Sequence, residues 1–233
     1  PGDAAPVAGL PRQVDVSPWP ALLALAAAAL AAPFRPWQAL RRRELRHPWL
    51  ASLVLLPWLW STAAHLPGGL PLQLSMASLT VLMLGWPLAC WSWLLAALAA
   101  AWLAQPAVAA DPGAWARLAG TLAWWNGVLP GTLALGLGLA TRRWLPAHPM
   151  VYILARGFAA TLAAMAVTGV LWVATQPLPP GAEAGSLMLG RWLIAWGDAV
   201  ATGMLTAIFV AYRPAWLLTW SDRRYLPPRP PPG

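Results

Sequence analysis

Long Ala- and Leu-rich runs, almost empty of charge and without period-2 alternation, decide what this chain can fold into. Charged residues make up 9% of the sequence and hydrophobic ones 59%, with a mean hydropathy of +0.58. A soluble domain carries about 25% charged residues, so most of this chain's outer surface must face lipid. Unpaired backbone groups are too costly in hydrocarbon for anything but helices or a closed barrel to span it. The missing alternation excludes the barrel. The expected fold is all-α, a polytopic integral membrane helical bundle. At about 20 residues per span, 233 residues hold roughly six to eight spans and no sizeable soluble domain.

Residues 1–16 read as a polar N-terminal tail and residues 17–212 as the seven-helix transmembrane domain. Span 1 is expected from Ser17 to Phe34; its run is too long for a signal peptide, and arginines follow it closely, so it reads as a retained helix. Span 2 runs from His47 to Leu66, with Trp49, Trp58 and Trp60 toward its ends as interfacial anchors. Pro67 to Pro71 is a tight turn. Span 3, Leu72 to Gly85, is short and is broken by Gly85-Trp86-Pro87; span 4 continues to Leu103. Span 5, Trp115 to Ala140, is interrupted at Asn126-Gly127 and Pro130-Gly131. Spans 6 and 7 run from Met150 to Thr175 and from Leu187 to Tyr212. Residues 213–226 mix Trp and Leu with Arg and suit an amphipathic segment in the membrane surface, and residues 227–233 form a Pro-rich tail expected to be disordered.

The net charge of +8 comes entirely from Arg, with no Lys. The arginines cluster between apolar spans, which is a topology signal rather than a nucleic-acid footprint. With seven spans, the loop holding Arg35, Arg41, Arg42, Arg43 and Arg46, the Arg142-Arg143 loop and the C-terminus share one side. The Asp111 and Glu183 loops share the other. The excess of arginine on the first side puts the N-terminus outside and the C-terminus in the cytoplasm, for a multi-pass protein of the inner membrane. Merging spans 3 and 4 would split the arginines across both faces. Cys90, the only cysteine, permits neither an intrachain disulfide nor a cysteine metal cluster and reads as a small buried residue.

Polar groups inside spans are the functional candidates, because a charge at the bilayer centre costs about 2.5–3.5 kcal/mol on insertion scales. Asp198 lies mid-span and is too short to snorkel. It needs a proton or a partner: a structural pair with Arg156 or Asn126, or a ligand. Asn126 lies mid-span beside a Gly. Arg156 and Arg191 are long enough to snorkel to the two interfaces. Gln73, Ser75, Ser78 and Thr80 read as interhelical hydrogen-bonders. His65 and His148 read as interfacial, and His47 lies among arginines. Ala24, Ala28 and Ala32, and Gly127 and Gly131, repeat at four-residue spacing and suit close helix approach. The sequence holds no phosphate loop, no His-Glu-x-x-His and no serine nucleophile motif with a partner, so no enzyme activity is expected.

The segments Gly69 to Leu74, Leu79 to Ala89, Asn126 to Gly131, His148 to Ile153, Gly203 to Val210, Tyr212 to Trp216 and Asp222 to Leu226 together resemble the CbiM-like permeases. These are the substrate-binding membrane components of energy-coupling factor (ECF) ABC transporters for cobalt and nickel, and the resemblance is to a divergent bacterial branch. It covers residues 47–226 by the order and spacing of several short segments. It implies a seven-helix bundle, a transmembrane coupling subunit and cytoplasmic ATPases as partners, and nickel or cobalt as the bound substrate, with no resident cofactor.

In that family an N-terminal Met-His segment and a His in the third-helix motif hold the metal. Here residues 1–16 contain no His, and Gln73 occupies the place of the motif His. Cobalt and nickel favour imidazole donors, so Gln73, Asn126 and Asp198 form a weaker set of candidate metal or substrate ligands. Two functions are therefore expected. A substrate-capture component has a polar cavity reaching Asn126, whereas a non-transporting accessory or assembly subunit has a filled core with Asp198 paired internally.

Overall fold

The computed structural model describes residues 17–61, 64–66, 70–106, 108–178 and 183–225. The N-terminal tail, the tip of the Pro67 to Pro71 turn and residues 227–233 lie outside them. The described chain is mostly helical, with one short antiparallel pair and a few irregular segments. Among the described residues three helices are long and apolar enough to cross a membrane: Trp86–Ala104, Pro149–Thr175 and Ala184–Tyr212. Trp19–Phe34 is apolar but shorter.

Helix α1 (Trp19–Ala31) passes through a 3-10 turn into Arg35, which reverses the chain in the left-handed region at φ 48°. A second 3-10 turn, Pro36–Arg41, precedes α2 (Arg43–Ser61). Strands β1 (Ala64–Leu66) and β2 (Leu70–Leu72) pair with His65 opposite Pro71. An irregular stretch, residues 73–76, then leads to α3 (Ala77–Leu84), whose eight residues are all buried. Eight residues rise only about 12 Å, so α3 is enclosed by other helices rather than a span in its own right. Gly85 ends it at φ 72°, a conformation that favours glycine, and α4 (Trp86–Ala104) starts at once with Pro87 in its first turn.

Helices α5 (Pro112–Ala123) and α6 (Leu129–Trp144) are joined by one π-helical turn, Trp124–Val128. The interruption expected at Asn126 and Pro130 is therefore not a break. Leu129 N–H bonds to the carbonyl of Trp124, five residues back; Pro130 brings no N–H, and the Asn126 carbonyl four residues before it receives the Ser75 hydroxyl. After α7 (Pro149–Val151), a second π-helical stretch, Tyr152–Ala159, leads into α8 (Ala160–Thr175). Helix α9 (Ala184–Tyr212) packs along α8.

Small residues set the close approaches. Gly127 and Gly131 present a flat face to the Trp93 indole of α4, and a Cβ at either position would overlap that ring. Gly120 meets the backbone of Ala21 in the same way, seating α1 on α5. Ala24 and Ala28 of the expected α1 stripe are buried, whereas Ala32 is partly exposed. The main core gathers Trp60, Val81, Trp93, Ala96, Ala97 and Val128.

The last segment closes the bundle's other end. Residues 213–225 form a 3-10 turn, Pro214–Trp216, and a short helix α10 (Asp222–Tyr225), with Leu217 and Tyr225 buried rather than a continuous surface helix. Leu218 N–H donates to the Met83 carbonyl at 3.1 Å and Thr219 N–H to the Leu82 carbonyl at 3.2 Å. These are carbonyls that the break at Gly85 would otherwise leave open.

Gly131→Leu should destabilise the detergent-solubilised protein by about 1–3 kcal/mol through overpacking against Trp93. Gly136→Leu, where an added Cβ meets nothing within 4 Å, should change stability by less than about 0.5 kcal/mol. Unfolding midpoints of the two variants, taken side by side, check this.

Candidate functional site

Gln73, Asn126 and Asp198 come from three separate parts of the sequence and converge on the irregular segment 73–76, where the chain enters α3. Non-helical backbone is tolerated at membrane depth only when protein satisfies its polar groups, and the backbone N–H and C=O of both Ser75 and Met76 have protein partners. Asp198, in the middle of α9 and 1% exposed, accepts from Ser75 N–H at 3.2 Å with one carboxylate oxygen and from Met76 N–H at 3.0 Å with the other. The Ser75 carbonyl accepts from the Trp60 indole N–H of α2 at 3.1 Å. The Ser75 hydroxyl donates to the Asn126 carbonyl at 2.6 Å and accepts from Ala77 N–H at 3.1 Å. The Met76 carbonyl receives Thr80 N–H at 3.1 Å and the Thr80 hydroxyl at 2.9 Å. Met76 itself is left-handed, with φ 53°.

The π-helical turn explains why Asn126 reaches this segment. Widening the helix by one residue turns the side chain and carbonyl of Asn126 inward, where it is 6% exposed. Its amide N–H donates to Gln73 Oε1 at 3.3 Å, while the Gln73 amide donates to the Trp60 carbonyl. The three candidates thus form one network centred on Ser75. Gln73 and Asn126 share a direct hydrogen bond, and Asp198 joins them through the Ser75 backbone and hydroxyl.

Asp198 pairs with neither expected partner. Arg156 lies in the second π-helical stretch and is 6% exposed. Its guanidinium sits 5.2 Å from the Tyr152 ring centre, with Nη1 3.4 Å from the Tyr225 hydroxyl and Nε without a protein partner. It does not snorkel outward, because the C-terminal segment covers it. Arg191 stacks over Trp172 at 4.1 Å, which supplies a π face where the sequence suggested only an interfacial head. His148 Nδ1 accepts from Met150 N–H at 3.2 Å and caps the helix that follows. Cys90 is free and buried. The side chain of His65 lies outside the described residues.

The side-chain oxygens of Asp198 and Gln73 accept hydrogen bonds from protein groups. Among the described residues no group of three or more His, Cys, Asp or Glu gathers in a way that could hold a metal ion. A cleft of about 370 Å³ lies at Trp37, Arg41 and Arg46, and a hollow of about 10 Å³ at Arg142, Arg156 and Tyr225; neither is lined by Gln73, Asn126 or Asp198. Trp60 and Met76 belong to the site although the sequence did not mark them. Trp60 looks like a belt tryptophan, and nothing in the sequence announces a left-handed methionine. No family profile, curated protein or solved structure matches the chain.

Removing the Asp198 carboxylate leaves two buried amides without acceptors. Asp198→Ala should cost about 2–6 kcal/mol, at about 1–3 kcal/mol for each stranded donor. Asp198→Asn keeps one acceptor oxygen and should cost roughly half as much. The check is unfolding in detergent without added metal; a residue serving only as a ligand would leave that midpoint unchanged.

Proposed function

We propose that the chain is a substrate-capture membrane component of the ECF transporter type, in the CbiM-like mould, with a transition-metal cation such as nickel or cobalt as its solute class. It works in the inner membrane as a multi-pass bundle, beside a transmembrane coupling subunit and cytoplasmic ATPases, and has no catalytic step of its own. The observation that carries this reading is the convergence of Gln73, Asn126 and Asp198 on a broken helix deep in the bundle. Solute sites of many membrane transporters form where helices are discontinuous, because unwound backbone and half-helix ends supply polar groups at depth.

The same reading includes seven crossings, an outer N-terminus and a cytoplasmic C-terminus. Helix α3 alone is too short to cross. With residues 70–76 before it, the path from Leu70 to Leu84 is at most about 35 Å long, against a hydrocarbon core of about 30 Å. The basic segment at 35–46 and the Arg142-Arg143 pair then share a side.

A second reading, an accessory or assembly subunit that keeps this architecture without the metal site, is favoured by a specific observation. The oxygens of Gln73 and Asp198 already accept hydrogen bonds from the protein, and among the described residues no His, Cys, Asp or Glu cluster able to hold a metal gathers there.

Equilibrium binding of nickel and cobalt to the purified full chain separates the two. Capture expects saturable binding by the wild type, strengthened in Gln73→His because an imidazole replaces an amide. No binding by the wild type, with binding recovered in Gln73→His, would carry the accessory reading. No binding by either would overturn the metal assignment.

A further inference from the structure

Residues 35–50 build a cleft that the solute network does not use. The 3-10 turn Pro36–Arg41 folds back on the start of α2, and Arg46 Nε donates to the Leu40 carbonyl at 2.9 Å, pinning turn to helix. Between them lies a cleft of about 370 Å³ lined by Trp37, Leu40, Arg41, Arg46, Trp49 and Leu50. Ligand sites commonly measure about 300–1,000 Å³. The lining divides into two parts. Arg41 and Arg46 bring two cationic heads with no carboxylate among the lining residues, and two indoles and two leucines supply the rest.

The apolar part does not stop at the cleft. Leu50 (53% exposed), Val54 (71%) and Trp58 (67%) continue from it along one face of α2. They recur at four-residue spacing, so the stripe runs about 12 Å along the helix. An occupant that satisfies both parts has an anionic head and a long apolar tail. A soluble anion would leave the stripe unused, and a neutral lipid would leave the guanidinium pair without a counter-charge. Basic clefts beside indoles at the cytoplasmic membrane surface suit anionic head groups for this reason.

We propose that this cleft is a binding site for an anionic phospholipid, with the phosphate between Arg41 and Arg46 and an acyl chain along Leu50, Val54 and Trp58. The proposal rests on the membrane placement above and not on solute capture, so the metal-binding experiment can fail without touching it.

Native mass spectrometry of the full chain, offered phosphatidylglycerol and phosphatidylcholine in equal amounts, tests the site. The wild type should retain phosphatidylglycerol preferentially. Arg41→Gln with Arg46→Gln should lower its occupancy by about five-fold or more. Arg46→Lys, which keeps the charge, should retain it. Arg213→Gln with Arg223→Gln removes two exposed arginines outside the cleft and should leave occupancy within about two-fold. Equal losses in both double variants would mean diffuse surface charge and overturn the site. No preference in the wild type would do the same, as would displacement of the lipid by soluble glycerol phosphate, which would make the ligand a free anion. Lipid retention unchanged in the cleft variant, with loss of a co-purifying protein subunit, would assign the cleft to a protein partner instead.

Discussion

The tie between the Asp198 carboxylate and the amides of Ser75 and Met76 is the contact on which the rest of the bundle depends. A short helix that starts inside an apolar bundle brings unpaired N–H groups with it, and water is not there to receive them. Only a buried acceptor solves this, and a carboxylate solves it twice, with one oxygen for each amide. The burial cost of the charge and the cost of the open amides are two liabilities that cancel against each other. Because Asp198 sits in the long helix α9 and Ser75 in the broken segment, the same contact fixes the start of α3 against the helix that packs along α8.

The opposite end of α3 poses the mirror problem, and the chain solves it with backbone. Gly85 stops the helix while its last carbonyls are still enclosed, and residues 217–219 run past them and donate. The Thr219 hydroxyl also donates to the Leu82 carbonyl and accepts from the Tyr152 hydroxyl. Tyr152, Trp220 and Tyr225 then pack ring against ring over this closure. The C-terminal segment is therefore part of the fold's polar accounting. That explains why its arginines remain exposed while Leu217 and Tyr225 turn inward.

Helical character and the break at Gly85-Trp86-Pro87 are legible in the sequence, because each rests on local chemistry: charge scarcity for the first, a glycine φ and a following proline for the second. The need of Asp198 for a partner is legible too, since a short acid mid-span has no route to water. Its actual partners are not, because a backbone amide leaves no residue type to read. The expected interruption at Asn126 fails for a related reason. A Gly and a Pro signal weak helix, but the π-helical turn absorbs both and uses the disturbance to aim Asn126 at Gln73. The role of Trp60 is hidden in the same way, because a tryptophan near a span end looks like a belt residue whether its N–H meets lipid head groups or a buried carbonyl.

Arg156, buried, and Arg191, half-buried, are accommodated without a carboxylate among the described residues. Asp198 serves the Ser75 and Met76 amides and not Arg156, which charge alone suggests as its partner. Arg156 is instead held beside Tyr152 and Tyr225, and Arg191 lies on Trp172. Aromatic faces attract a cation without demanding a carboxylate, so they free the acid for the backbone. A chain with few acids and many aromatic rings can keep its buried cations and its broken helix at once. Tryptophan, read at span ends as an interfacial anchor, thus has a second use within the protein. Trp172 takes up Arg191, Trp60 takes up the Ser75 carbonyl, and Trp93 fills the faces left by Gly127 and Gly131.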